Sequence, residues 1–66
     1  MTDGEKKAFN HGMAVAAAIV APYQSEYAQE ILGAAGMKTR AELLAEGVDE
    51  YDINILEEHG VLEGEE

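Results

Sequence analysis

The sequence predicts an all-α protein, a small bundle of three to four short helices over about residues 3–21, 23–35, 40–46 and 50–59. Three observations carry that expectation. Two capping boxes mark helix starts, glycines followed by an apolar residue mark helix ends, and apolar side chains recur at helical spacing between them. With 66 residues the chain makes one domain, expected over 1–60, followed by an acidic, frayed tail over 61–66. A domain of this size buries roughly 60% of its unfolded surface and is marginal alone.

The first helix opens on Thr2-Asp-Gly-Glu5, a capping box with Thr2 as N-cap. Phe9, Met13, Ala16 and Val20 then fall on one face, flanked by Gly12, Val15 and Ile19. Lys7, Asn10 and Ala14 are expected to face away. Met13 to Ala21 is apolar all round, as in a central helix contacted on several sides. Pro22 ends or kinks it, because proline lacks the amide and clashes one turn back.

In the second helix Tyr23, Tyr27, Ile31 and Ala35 share a face, beside Ala28 and Leu32, which places both tyrosines in the core. Gly36 supplies its left-handed C-terminal residue. Thr39-Arg-Ala-Glu42 is the second capping box and opens a short helix with Leu43 and Leu44. Gly47 stops that helix, and Val48 folds back on Leu43. Asp49 caps a fourth helix, which Gly60 ends with Val61 against Leu56. Tyr51, Ile53 and Ile55 also alternate with polar residues in a strand pattern. A lone strand needs a partner, so the helix is preferred unless the segment pairs with another molecule. No internal repeat or low-complexity tract stands out beyond the alanine-rich first helix and the acidic end.

Composition excludes several chemistries. There is no cysteine, so disulfides, thiolate nucleophiles and cysteine-bound metals are impossible. No signal-peptide pattern is visible and the longest apolar run is half a bilayer span, so a cytoplasmic protein is expected. The histidines His11 and His59 and the single serine Ser25 make a thin catalytic inventory. His11 is read as a surface residue and His59 as a helix-terminal one. No catalytic residue, cofactor site or metal site is expected, and the chain is not expected to be an enzyme. A metal-tuned switch through Asp52, Glu58 and His59 is the weakest alternative.

Fourteen acids face four bases, a formal charge of −10. The charge is not evenly spread. Residues 1–24 are neutral and 25–45 carry −1, whereas Glu46, Asp49, Glu50, Asp52, Glu57, Glu58, Glu63, Glu65 and Glu66 follow with no base after Arg40. Such an end repels nucleic acid and anionic membrane and attracts basic protein surfaces. Asp49, Glu50, Tyr51, Asp52, Glu57 and Glu58 are the candidate partner-binding residues, with Tyr51 as the aromatic contact. Gly12, Met13, Ala16 and Val20 are the candidates for self-association.

Residues 36–60, from Gly36-Met-Lys-Thr-Arg-Ala-Glu-Leu-Leu-Ala-Glu-Gly47 into Val48-Asp-Glu-Tyr-Asp-Ile, resemble the short helix pairs of SAM-like and helix-hairpin-helix domains. The glycine pair and basic residues of a DNA-binding hairpin are missing, so the resemblance implies protein contact. The whole chain is similar in type to small acidic helical accessory proteins of bacteriophages and mobile elements, among them anti-CRISPR inhibitors. That resemblance implies an inhibitor, or DNA mimic, docking on a larger protein with a basic surface. The alternative is a structural homo-oligomer, a homodimer above all, without inhibitory role.

Overall fold

The computed structural model describes residues 2–63. Four helices, α1 (Asp3–Val20), α2 (Ser25–Ala35), α3 (Arg40–Ala45) and α4 (Glu50–Glu58), follow one another with no strand among the described residues. Residues 51–56 are therefore helical.

Local chemistry sets where each helix starts. Thr2 Oγ1 accepts from the Glu5 N–H at 3.1 Å while a Glu5 carboxylate oxygen accepts from the Thr2 N–H at 2.8 Å. Thr39 and Glu42 repeat that exchange at α3, at 3.2 and 3.1 Å. The Asp49 carboxylate accepts from the Tyr51 N–H at 3.2 Å to start α4. After Val20 the chain turns through Ala21 and Pro22, and the Val20 carbonyl accepts from the N–H groups of both Tyr23 and Gln24.

The ends of α2, α3 and α4 close in one way. The N–H groups of Met37, Val48 and Val61 donate to the carbonyls of Leu32, Leu43 and Leu56 at 3.0, 3.1 and 2.9 Å. Gly36, Gly47 and Gly60 stand between at φ of 79°, 81° and 71°, a conformation that costs an L-residue roughly 1–2 kcal/mol. Each closure brings the apolar residue after glycine onto the leucine one turn back. The six residues so paired are half of the twelve buried apolar side chains, so the same contacts that end the helices also build the core. The pairs Leu43–Val48 and Leu56–Val61 follow the sequence expectation, and Leu32–Met37 adds a third.

α1 packs on both α2 and α4, and α3 packs on α4. Its buried side is not the expected one. Asn10, Ala14, Ala17, Ala18 and Ala21 are buried, whereas Phe9, Gly12, Ala16 and Ile19 are exposed and Met13, Val15 and Val20 are half-buried. The alanines let the α1 backbone come close to its neighbours, with Ala28 at 0% exposure on α2. The larger stripe is turned outward. Asn10 is tolerated inside because its Nδ2 donates to a Glu46 carboxylate oxygen at 3.2 Å, tying α1 to the end of α3.

Two further expectations are corrected. Tyr23 and Tyr27 are not core residues: 83% and 57% of their surfaces are open, and α2 instead buries Ala28 and Leu32. Residues 61–63 belong to the globule, since Val61 is buried and the Glu63 N–H donates to the Lys38 carbonyl at 2.7 Å. The rest of the expected tail, 64–66, lies outside the described residues.

Candidate functional site

The acidic end is built on α4. Ile53 and Leu56 point inward, and at 3.6 residues per turn this leaves three polar strips around the helix. Glu50, Asn54 and Glu57 form the strip toward α3. Tyr51 and Glu58, seven residues apart, share the outermost strip, and Asp52 and His59 form the third. Acids at Glu50 and Asp52 in the first turn also interact favourably with the positive end of the helix dipole.

Arg40, the first residue of α3, reaches across the first strip. Its guanidinium lies 3.0 Å from the Glu57 carboxylate and 4.0 Å from that of Glu50, and donates to Asn54 Oδ1 at 3.4 Å. Exposed pairs of this kind contribute about 0–1 kcal/mol each, so the larger consequence is geometric: α3 is pinned along α4. Along the sequence Arg40 is only the last base before the acidic stretch. Folding places it inside that stretch and partly neutralises two of the six candidate residues.

The other four are held differently. Asp49 is committed to its cap. Tyr51, 72% exposed, has Glu58 beside it and Asp52 on the next strip. Among the described residues their side chains make no hydrogen bond or ion pair with another residue. The site therefore divides into a neutralised edge at Glu50 and Glu57 and an aromatic-acidic face of exposed Tyr51 and Glu58, with half-buried Asp52 at its margin.

Glu42 sits on the reverse side of α3. Its carboxylate accepts from the backbone N–H groups of Lys38 at 2.6 Å and Thr39 at 3.1 Å, and these bonds hold its pKa below the ordinary 4.5. A carboxyl whose folded pKa is depressed stabilises the fold above its unfolded pKa, and that contribution disappears as pH falls through the folded value. Wild type is therefore expected to melt slightly above Glu42→Gln at neutral pH, with the gap closing below about pH 4.5. Thermal melts of both proteins across pH 2–7 check this.

Two shallow clefts lie on the surface of the described residues. One, of about 300 Å³, is lined by Gln29, Leu32, Gly33, Met37, Lys38, Val61 and Glu63. The Gln29 amide donates to the Gly60 carbonyl beside it at 3.3 Å. The other, of about 340 Å³, lies over the Asn10–Glu46 bond with Lys6 and Glu42 on its rim. His11 and His59 are both exposed, and no group of three or more potential metal ligands occurs among the described residues. No helix is long and apolar enough to cross a membrane among the described residues.

The candidates for self-association fall on α1. Gly12 and Ala16 are exposed, and Met13 and Val20 are half-buried at the margins. No family model, curated protein or solved structure matches this chain.

Proposed function

We propose that the chain is a small protein–protein interaction module, an inhibitor or modulator of the phage-encoded type, that docks through the outer face of α4. Its partner is a protein whose basic surface otherwise holds nucleic acid. The observation that carries this reading is Tyr51: an aromatic ring 72% open to water, with uncompensated carboxylates at Asp52 and Glu58 around it. An exposed tyrosine offers large contact area at low entropic cost. The flanking acids steer it toward basic grooves and away from phosphate.

Affinity capture from bacterial lysate with the tagged protein, followed by titration of the captured protein, tests this. The expected partner is a nucleic-acid-binding protein, released by added double-stranded DNA, whose association slows as salt rises. Tyr51→Ala and Glu58→Lys should each weaken binding by about tenfold or more. Glu57→Lys should do less, because Glu57 is already paired with Arg40. Binding that ignores salt, Tyr51→Ala and Glu58→Lys alike would overturn the proposal.

A further inference from the structure

Asn10 is the one polar side chain buried among the described residues, with 4% of its surface open, and its amide is only half used. Nδ2 donates to a Glu46 carboxylate oxygen at 3.2 Å, whereas Oδ1 accepts no hydrogen bond among the described residues. No buried side-chain oxygen there is sealed without a partner, so Oδ1 reaches solvent where Asn10 lines a cleft of about 340 Å³. An acceptor on a side chain more than nine-tenths buried, open only to a cleft, is fitted to a ligand that brings donors.

The rest of the lining favours positive charge. Glu42 and Glu46 lie one turn apart on α3, about 5–6 Å between Cβ atoms, and both line the cleft. Glu42 uses a single carboxylate oxygen, Oε1, to accept from the Lys38 and Thr39 N–H groups, which leaves Oε2 unclaimed. Glu46 likewise meets Asn10 through Oε1 alone. Neither is in an ion pair among the described residues, where Arg40 holds Glu50 and Glu57 instead. α2 ends on the cleft at Ala35 with no base in its last turn, so the negative end of its dipole adds to the field. Lys6, on the rim, is the single base in the lining, and against two carboxylates it leaves the cleft net negative.

We infer that this cleft binds an aliphatic diamine, with one ammonium donating to Asn10 Oδ1 and the Glu46 carboxylate and the other to Glu42 Oε2. A four-carbon chain spans about one helical turn, the separation of the two carboxylates, and Ala35 and Ala45 offer it apolar surface. No group of three potential metal ligands gathers among the described residues, whereas an ammonium donates to neutral and anionic oxygens alike. Tyr51 does not line this cleft, so the inference is independent of docking through α4.

The test is an NMR titration of the isotope-labelled protein with diaminobutane, amine at each end, at low salt. Saturable shifts are expected at the Asn10 side-chain amide and at the Gly36 and Glu46 N–H groups, with α4 unmoved. Butylamine, which has one ammonium, should bind about tenfold more weakly. Glu46→Gln keeps an oxygen for Asn10 Nδ2 and so keeps the fold, checked by circular dichroism, yet should cost about tenfold in affinity. Lys6→Gln removes a competing like charge and should tighten binding about threefold. No saturable shift, or the same shifts from magnesium chloride at equal ionic strength, would overturn the site. Butylamine binding as well as diaminobutane would overturn the two-ended pose. Weaker binding by Lys6→Gln would overturn the cation in favour of a ligand whose anionic end Lys6 holds.

Discussion

Leu43→Ala is expected to leave the chain largely unfolded at 25 °C. Leu43 has no exposed surface, and its carbonyl accepts the Val48 N–H at 3.1 Å where α3 closes. Truncating a buried leucine to alanine costs about 2–5 kcal/mol, the spread reflecting how far the site can collapse onto the cavity. A single core below 70–80 residues rarely supplies more than about 3–5 kcal/mol in total. The substitution therefore removes most of the stability, and Val48 loses the side chain it folds against. The neighbouring Leu44 is 45% exposed, and Leu44→Ala should shift the urea midpoint only slightly. Far-UV circular dichroism with urea titration on both variants checks the contrast. A cooperative Leu43→Ala transition at the wild-type midpoint would show that the helix closures do not build the core.

The closures Leu43–Val48 and Leu56–Val61 are legible because every part of them is local, and Leu32–Met37 shares their spacing. A leucine, a glycine four residues on and an apolar residue after it lie within one turn and its exit, so the spacing alone predicts the contact. The two Thr-x-x-Glu boxes and the Asp49 cap read equally well, since the partners are two or three residues apart. What did not read well depends on how helices meet. Phe9, Met13, Ala16 and Val20 have the same period as Asn10, Ala14, Ala17 and Ala21, and hydrophobicity favours the first set. Close packing of α1 against its neighbours selects the second. Asn10 falls on the side of α1 away from the Phe9–Val20 face, yet it is buried there because Glu46, thirty-six residues away, satisfies it. Tyr23 and Tyr27 lost their expected burial for a related reason: the small Ala28, with Leu32, is what fits against α1.

The acidic site shows the same division. Counting charges along the chain correctly placed the acids on α4, and a 3.6-residue period sorts them into strips. It did not show that Arg40 would lie across Glu50, Asn54 and Glu57, because that depends on the angle between α3 and α4. The result narrows six candidate residues to exposed Tyr51 and Glu58 with half-buried Asp52 beside them.

The orientation of α1 makes a second large prediction, on two adjacent alanines. Ala17→Glu should prevent folding, whereas Ala16→Gln should leave helix content and melting temperature close to wild type in dilute solution. Ala17 is fully buried, and a carboxylate there would need either to ionise without a partner or to stay protonated at a cost. Burying an unpaired charge costs several kcal/mol in proteins, again comparable to the whole stability of a domain this small. Steric crowding against neighbouring side chains adds about 1–3 kcal/mol. Ala16 lies 100° around the helix on the open side, where glutamine keeps good helix propensity and its amide stays in water. Reversal of this order, with Ala16 sensitive and Ala17 tolerant, is what burial of the Phe9–Met13–Ala16–Val20 face would produce. Side-by-side thermal melts of the two variants at low micromolar concentration therefore decide which face of α1 holds the fold together.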